Sequence, residues 1–409
     1  MDAIIVSGTW PTNNSGYGIA VTAALQVYTQ YFNKVFFFGP SKMHFGNKNS
    51  WSNTNIDWIP LSLTLEPMWY RFLKSIAMSS PAITIRFKAG AHKFYKDISR
   101  VISNVHNSNH DIVIIYEDTP PSYYLPYIRH NFPNIQQAVH SHNVIYKGFS
   151  ELKNQGPLLK RVAWLIELKK IYNFEKNIHN LADSYWVISD NDSLEYKKYY
   201  GNTPDGVFGV SIDTDRYKSV LPGDIYTMVH VGSANLRKAI GIRNFITTTW
   251  PLIRAKIPNA QLVLGGNNTK QFSDENLGIK GFGFVENELD ILSKGLLYIN
   301  PQNIGSGIKL KSIIAMLSGK VLVSTSTGIE GIEGIEGEHY FVAQDNRAMA
   351  DQIVKLMRNA SKTKKIGENA QMLAFRLYSR KYLFKKVKPL LDSFISQSSK
   401  ISNFSPKKN

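Results

Sequence analysis

The pattern that most constrains this chain is an alternation, repeated in two halves, of short apolar runs with longer amphipathic stretches. The β-branched runs predict buried strands and the amphipathic stretches predict helices, an alternation typical of a parallel sheet covered by helices. In the first half, strands are predicted at residues 3–7, 34–38, 111–116, 137–140 and 184–188, with helices that include 17–31 and 159–181. In the second half, strands at 227–231, 261–264, 295–299 and 320–323 alternate with helices at 240–256, 286–293, 307–318 and 347–358. The predicted fold class is α/β, with two doubly wound parallel-sheet domains.

A stretch rich in proline and glycine separates the two halves. Residues 203–224 lack helical periodicity and contain Pro204, Gly206, Gly209, Pro222 and Gly223, which indicates a linker. We predict a first domain at 1–205, a second at 206–375, a helix at 376–395 and a basic flexible tail at 396–409. The tail is predicted because Ser, Lys and Asn dominate there.

Composition narrows the class of protein. The chain has 409 residues, 43% hydrophobic and 19% charged, which suffices for two cores. It has no cysteine, which excludes disulfides, thiolate-ligated metals and a thiol nucleophile and is compatible with a cytoplasmic protein. The longest apolar runs fall far short of the roughly 18 residues of a membrane helix. The N-terminal residues lack the pattern of a secretory signal, so we expect neither a leader nor a membrane span.

The positive charge favours an anionic partner. There are 48 basic and 31 acidic residues, a formal charge of +17, and much of the excess lies beyond residue 359. Another basic region, residues 68–100, is interspersed with Trp69, Tyr70, Phe72, Phe87 and Phe94. Basic residues beside exposed aromatics suit anionic lipid headgroups, and the alternative is a solvated helix face over an ordinary core. The sequence contains no recognised nucleic-acid motif, so nucleic acid is not an expected partner.

Two loops at predicted strand ends in the first half contain candidate binding residues. Open α/β sheets bind ligands outside the carboxyl ends of their strands. In residues 8–18, Gly16, Tyr17 and Gly18 open a helix whose free amides suit an anion or a sugar. His142 and Asn143 directly follow another strand, and His142 is a candidate for binding a sugar hydroxyl or supporting a reacting oxygen. A purely structural histidine is the alternative, and no metal is expected because metal-ligand spacing is missing.

Two loops in the second half suit a diphosphate. After the strand at 227–231, Arg237 offers a planar fork and Lys238 a point charge to phosphate oxygens. After the strand at 295–299, glycines permit close backbone approach, a helix N-terminus favours negative charge and a lysine can neutralise it. The residues of this loop are Gly305, Ser306, Gly307 and Lys309. It is not a P-loop, because GxxxxGK[ST] is missing. Glu330, after the next strand, is the carboxylate we place near a sugar.

Taken together, these residues resemble the GT-B glycosyltransferases. Within them the chain resembles the large retaining family, glycosyl transferases group 1, whose bacterial members build lipopolysaccharide, capsule and glycolipid glycans. The strongest part is residues 250–342, with WPLIRAKIPNAQLVLGG and NPQNIGSGIKLKSIIAMLSGKVLVSTSTGIEG; VHSHNV and SDNDSLEYKKYYGNTPDGVFGVSID are less specific. The resemblance implies two Rossmann-like domains facing across a cleft, with the donor in the C-terminal domain and the acceptor in the N-terminal one. It also implies a final helix that crosses back to the N-terminal domain.

The resemblance also implies roles for the candidate residues. The catalytic candidates are His142 and Glu330. The candidates for the donor diphosphate are Arg237, Lys238, Gly305, Ser306, Gly307 and Lys309, and those for the acceptor-side loop are Gly16, Tyr17, Gly18 and Asn143. One departure stands out, because the family commonly has two glutamates separated by seven residues, the second binding the donor ribose. Ser306 and Ile314 occupy these positions here, and isoleucine cannot accept a hydrogen bond from a ribose hydroxyl.

The expected function is transfer of a hexose from a UDP- or GDP-linked donor to a glycan or lipid-linked glycan. By resemblance, the reaction retains anomeric configuration and needs no metal and no cofactor. The alternative, favoured by Ile314, is a noncatalytic nucleotide- or glycan-binding subunit with the same fold. We expect a cytoplasmic protein, with peripheral association at the inner face of the membrane.

Overall fold

The chain folds into two units, one of which is made from two separate stretches of sequence. The computed structural model describes residues 1–12, 15–40, 51, 54–64, 66–108, 110–150, 158–234, 236–305 and 307–402. The first unit comprises Met1–Ser211 and the chain from Leu383 onward, and the second comprises Ile212–Tyr382.

The described residues of the first unit form a seven-stranded parallel sheet in the order β3-β2-β1-β4-β5-β6-β7. Its strands are β1 (Asp2–Ser7), β2 (Val35–Pro40), β3 (Ile56–Leu61), β4 (Ile112–Glu117), β5 (Gln137–Ser141), β6 (Ser184–Val187) and β7 (Gly206–Val207). The central strands β1 and β4 are buried along their whole length, because both faces of the sheet are covered. The strand order reverses between β1 and β4, and open α/β sheets form a crevice at the carboxyl ends of such a pair of strands.

Helices follow the strands of the first sheet. They are α1 (Gly16–Tyr31), α2 (Met68–Ile76), α3 (Ile85–Lys88), α4 (Ala91–Asn107), α5 (Leu125–Asn131), α6 (Ile145–Ser150), α7 (Leu158–Leu181) and α8 (Asp190–Tyr200). Helix α8 shows how the sequence sets its ends. The Ser189 hydroxyl accepts the Asp192 N–H at the start, and Gly201, at φ +77°, ends the helix in the left-handed conformation.

The second unit repeats this design in its described residues with a six-stranded parallel sheet of order β10-β9-β8-β11-β12-β13. Its strands are β8 (Asp224–Val231), β9 (Gln261–Gly265), β10 (Ile279–Gly281), β11 (Gly295–Asn300), β12 (Val321–Ser324) and β13 (Tyr340–Val342). Its helices are α9 (Leu236–Asn244), α10 (Trp250–Lys256), α11 (Leu289–Leu292), α12 (Leu310–Leu317), α13 (Asn346–Met357) and α14 (Ala360–Leu377). The order reverses between β8 and β11, so the equivalent crevice lies at their carboxyl ends.

The last helix, α15 (Arg380–Ser402), packs on the first unit over most of its length. The Phe394 ring meets the Trp186 ring edge-on at 5.4 Å, and both side chains are buried. The Tyr31 hydroxyl donates to the Asp392 carboxylate at 2.6 Å. Apolar burial of this kind is worth about 1.5–3 kcal/mol for each large side chain, so α15 is an integral part of the first unit.

Several sequence-based predictions about the linker and tail were wrong in detail. The first unit continues past residue 205 because Gly206 and Val207 form β7, which pairs with β6. The predicted tail at 396–409 begins too early, because α15 remains helical to Ser402. Residues 403–409 lie outside the described residues. The predicted helix at 240–256 is divided by a π-helical turn at Phe245–Thr249.

In the basic region at 68–100, the aromatic residues divide between core and surface. Phe87 and Phe94 are buried, as the alternative of an ordinary core beneath a solvated helix face predicts for them. Trp69 and Tyr70 remain exposed on α2. No helix within the described ranges is long and apolar enough to cross a membrane.

Candidate functional site

The loop between β1 and α1 places the predicted glycines at the crevice edge of the first sheet. The Ser15 hydroxyl accepts the Gly18 N–H at 3.0 Å, and the Gly18 carbonyl accepts the Thr12 N–H at 3.3 Å. A Cβ at Gly18 would collide with Thr12, so glycine is required for this close approach. Gly16 begins the helix, and Tyr17 is exposed beside it.

A buried acid, which the sequence analysis missed, lies at the end of β4. Glu117 accepts hydrogen bonds from the Tyr28 hydroxyl at 2.5 Å, His140 Nδ1 at 3.1 Å and His142 Nε2 at 2.9 Å. These four side chains are buried. The next residue, Asp118, has φ +75°, and its carboxylate accepts the Thr119 N–H at 2.9 Å. The predicted site histidine is therefore part of a buried ionic cluster.

The cluster shifts the ionisation of its members. Burial alone would raise the pKa of Glu117, but the neighbouring imidazoles of His140 and His142 outweigh it and lower that pKa to about 2. Burial alone would lower the pKa of His142, but the carboxylates of Glu117 and Asp118 together raise it above its ordinary value. The carboxylate and an imidazolium therefore stabilise each other without solvent.

The structure brings three predicted residues of the first domain together. The Tyr17 and His142 rings are stacked with centroids 6.1 Å apart, and Asn143 Nδ2 donates to the Tyr17 hydroxyl at 2.6 Å. Gly16 and Gly18 flank Tyr17 in the same turn of α1. These residues present an aromatic ring, an amide and an imidazole together, which are groups that bind polar, ring-shaped ligands.

The donor atoms of Glu117, His140 and His142 lie within 4.8 Å of one another, the spacing needed to hold a metal ion. Two imidazoles and a carboxylate form a ligand set that suits zinc. In the structure, however, the ring nitrogens that face Glu117 already lie at hydrogen-bond distances from it. These side chains therefore form a hydrogen-bond network, and they also have the metal-ligand spacing that the sequence analysis did not find.

In the second unit, the loop after β11 contains two glycines in conformations that side chains rarely adopt. Gly305 has φ +135° and Gly307 has φ +74°. Lys309 Nζ donates to the Gly307 carbonyl at 2.8 Å and to Glu330 Oε2 at 3.2 Å. Lys309 and Glu330, predicted separately, thus form a largely buried ion pair at the start of α12.

A buried network fixes this loop to the loop after β12. Asn300 Nδ2 donates to the Ser312 hydroxyl at 3.0 Å and to the Gly328 carbonyl at 2.9 Å, and the Ser312 hydroxyl also donates to that carbonyl at 2.6 Å. Gly328 has no space for a Cβ beside Asn300 and Ser324. The network holds the first turn of α12 at the carboxyl ends of β11 and β12.

The remaining donor-site predictions lie partly outside the described residues. Ser306 is not described, and Arg237 and Lys238 are placed in α9 without a description of their side chains. A basic residue that the sequence analysis passed over, Lys311, extends across Gly232 at the end of β8. Ile314 is buried within α12.

His230, in β8 of the second unit, has a lowered pKa, whereas the pKa of His142 in the first unit is raised. His230 Nδ1 donates to the Ile299 carbonyl at 2.8 Å. Burial, together with the charge of Lys311, lowers the pKa of His230 to about 3. This imidazole is therefore neutral at ordinary pH.

Comparisons with known proteins agree with this architecture. Residues 226–359 match the family described as glycosyl transferases group 1. Sucrose-phosphate synthase from Thermosynechococcus elongatus superposes with a TM-score of 0.70 at 16% identity, covering 97% of this chain and 100% of that one. HepE from Anabaena, solved in complex with UDP, gives a TM-score of 0.64 at 14% identity, covering 96% of this chain and 100% of that one. The chain has the GT-B fold.

This GT-B chain also has a relative known by sequence. An uncharacterized 44.6 kDa protein in the cps region of Klebsiella pneumoniae is 28% identical over 158 residues, which cover 36% of this chain and 41% of that protein. The chain thus aligns with less than half of that relative. The predicted fold class and the resemblance to group 1 glycosyltransferases are both confirmed.

Within the GT-B fold, the family match covers β8 to β13 and therefore the loop that contains Lys309 and Glu330. The cluster of Glu117, His140 and His142 lies outside the match. An acid pair directly after the apolar run of β4 was the signal in the sequence that could have revealed Glu117.

Proposed function

We propose that the protein is a glycosyltransferase that moves a sugar from a nucleoside-diphosphate donor to a glycan or lipid-linked glycan. The observation that carries this proposal is the group 1 match at residues 226–359, which includes the glycine loop, Lys309 and Glu330 at the crevice edge of a parallel sheet. The UDP and UDP-glucose complexes of HepE support UDP as the first donor class to test, and GDP is the second.

The geometry of the second unit suits a diphosphate leaving group. When the bond from the sugar to the β-phosphate oxygen breaks, negative charge develops on that oxygen. The acceptor oxygen forms the new bond to the sugar, and its proton passes to the departing diphosphate. The positive end of the α12 dipole and the Lys309 ammonium can stabilise that charge. Arg237 and Lys238 stay predicted partners of the diphosphate. With cationic groups supplied by the chain, we propose a reaction without a metal and, by resemblance, with retention.

Glu330 is proposed to bind the donor sugar, and His142 is proposed to position the acceptor or the donor sugar. Lys309 is now paired with Glu330, so a bound diphosphate would compete for the ammonium and leave the carboxylate available to sugar hydroxyls. The proposed place of the acceptor is the first-unit loop with Gly16, Tyr17, Gly18 and Asn143.

Nucleotide binding is the direct test. Calorimetric titration with UDP, GDP, CDP and dTDP, with and without magnesium, should show tight binding of one nucleotide to the wild type and strong loss in Lys309→Ala. Lys256→Ala is the matched control, because Lys256 makes an exposed ion pair with Asp351 in the same unit. If no nucleotide binds, or if both variants lose affinity equally, the proposed donor site is wrong.

A noncatalytic subunit is the second candidate, favoured by Ile314. This apolar side chain is buried in α12 where the family has a ribose-binding glutamate. Nucleotide binding without sugar transfer to any acceptor in a glycan screen, together with gain of affinity in Ile314→Glu, would favour this candidate over the enzyme.

An exposed apolar surface supports membrane association. On α2, Trp69, Leu73 and Ile76 are 65%, 54% and 57% exposed, and on α7, which packs against α2, Leu165 and Ile166 are also exposed. The exposed basic side chains of residues 68–100 are Lys88, Lys93, Lys96 and Arg100. Apolar and aromatic groups beside basic ones suit a bilayer with anionic headgroups, so we include peripheral membrane docking in the proposal.

Flotation with vesicles of phosphatidylglycerol or of phosphatidylcholine tests the docking surface. We expect binding to the anionic vesicles and its loss in a Trp69→Ser, Leu73→Ser double variant. Leu194→Ser is the control, because Leu194 is an exposed apolar residue on α8 of the same unit. Negligible binding to both vesicles, or equal binding by all variants, would contradict the docking surface.

A further inference from the structure

The hydrogen bonds of the buried cluster determine where its protons lie. His140 Nδ1 faces the Glu117 carboxylate at 3.1 Å, and His140 Nε2 faces the Phe208 carbonyl at 2.8 Å. Both partners are acceptors, and the two contacts together fix the plane of the His140 ring beside the Glu117 carboxylate.

The same carboxylate fixes the second imidazole. His142 Nε2 lies 2.9 Å from Glu117 Oε2 and must donate to it, whereas His142 Nδ1 is buried and has no hydrogen-bond partner among the described residues. The Tyr28 hydroxyl donates to Glu117 Oε1 and His140 lies on the other side, so the carboxylate is restrained against rotation. A buried ring nitrogen without a partner is costly unless a ligand supplies one.

We propose that Glu117 is a positioning residue that holds the His142 Nε2–H and leaves His142 Nδ1 as the ring nitrogen that hydrogen-bonds a sugar hydroxyl. Glu117 does not touch the ligand and acts through His142. The sugar part of this proposal rests on the proposed glycosyltransferase function, whereas the protonation pattern rests on the geometry of the cluster alone.

The surroundings of His142 support this assignment. The Tyr17 ring stacks on the imidazole, and the Asp118 carboxylate lies close to the His142 backbone N–H at 3.4 Å. Asn143 Nδ2 donates to the Tyr17 hydroxyl. These contacts restrain the ring plane, while Glu117 determines which nitrogen carries the hydrogen. A neutral substitute for Glu117 would keep the shape of the cluster, but it would no longer determine which ring nitrogen of His142 carries the hydrogen.

Nitrogen-15 NMR of the histidine side chains tests the protonation pattern without reference to activity. At pH 9 we expect His142 to show the Nε2–H tautomer; His140→Gln and His142→Gln assign the signals. In Glu117→Gln, which is nearly isosteric, we expect mixed tautomers of His142. An Nδ1–H tautomer of His142 in the wild type would overturn the proposal, even if the variant did not fold.

Measurements of turnover, UDP affinity and metal content separate this proposal from a purely structural role and from a metal site. Turnover should fall roughly tenfold or more in Glu117→Gln, as expected for a histidine freed to adopt the wrong tautomer, with partial recovery in Glu117→Asp. UDP affinity, which depends on the second unit, should be unchanged. Loss of UDP affinity would contradict a positioning role. Stoichiometric metal in the purified protein, removed by His140→Gln, would replace the hydrogen-bond network with a metal site.

Discussion

The two units place their candidate residues at the same edge of the same kind of sheet, but they build those edges differently. In the first unit the arrangement depends on ionised side chains withdrawn from solvent, with Glu117 holding two imidazoles. In the second it depends on backbone, with Gly305, Gly307 and Gly328 in places where a larger residue would be strained or would collide. The first unit should therefore be sensitive to loss of charge, and the second to added atoms.

The largest effect should come from removing the central charge of the first unit. Glu117→Ala leaves buried imidazoles without a counter-ion, which should lower the free energy of unfolding of that unit by about 3–5 kcal/mol. Hydrogen exchange in increasing urea, followed for peptides of each unit separately, measures it. The control is Asp57→Ala, which removes an exposed partner of Lys34 in the same unit. Equal weakening of both units would contradict the comparison.

Added volume should affect the second unit next most strongly. Gly328→Ala places a methyl group against Asn300 and Ser324, and the overpacking should cost about 1–3 kcal/mol. Gly209→Ala in the first unit is the matched control, because its Cβ would meet neighbours at ordinary contact distances. The same exchange measurement should show weakening of the second unit alone. Equal effects of the two substitutions would show that the loop after β12 is not closely packed.

Lowering the pH should change the stability of the two units differently, because the pKa values of His230 and His142 are shifted in opposite directions. The folded pKa of His230, about 3, lies below the ordinary 6.5, so its contribution to stability is present above pH 6.5 and is lost as the pH falls toward 3. The loss is about 1.4 kcal/mol per pH unit over that range. For Glu117, the contribution is lost only as the pH falls from 4.5 toward 2.

Thermal melting of each unit between pH 7 and 5 checks this difference. The second unit should weaken first, while the raised pKa of His142 contributes stability to the first unit at acidic pH. His230→Asn, which keeps a donor for the Ile299 carbonyl, should flatten the dependence of the second unit. An unchanged slope in that variant would assign the effect to another group.

The smallest effect should come from the exposed edge of the first cluster. Tyr17→Phe removes the hydroxyl that accepts from Asn143 but keeps the ring against His142, so stability should fall by no more than about 0.5–1.5 kcal/mol. Differential scanning calorimetry measures the change, with Asn143→Ala as the reciprocal variant. A loss as large as that of Glu117→Ala would mean that the phenol, and not the carboxylate, holds the cluster together.

The interior of the fold was predictable from the sequence, but its margins were not. Strands such as β4 and β11 are buried on both faces and therefore read as continuous apolar runs. The strands that were missed, β3, β7, β10 and β13, are short or partly exposed edge elements. These segments are strands because each pairs with a neighbouring strand, and the composition of the segment itself does not indicate that pairing.

The candidate residues were predictable singly, but their partnerships were not. Lys309 and Glu330 were both chosen from loop chemistry, yet their ion pair depends on how two loops fold together. Glu117 faces His140 because the parallel register of β4 and β5 places these residues opposite each other. Register between strands is set by packing across the whole sheet, so the sequence of neither strand reveals it.

The division of the first unit into two stretches of chain has a consequence for synthesis on the ribosome. Val387, Leu391 and Phe394 of α15 are buried, and Phe394 covers Trp186, which was translated about two hundred residues earlier. At roughly 5–20 residues per second, the nascent first unit waits ten seconds or more with that apolar surface uncovered. The second unit lies whole between the two stretches and can be completed first. Of the two units, the one whose synthesis starts first is thus the last to reach its native state.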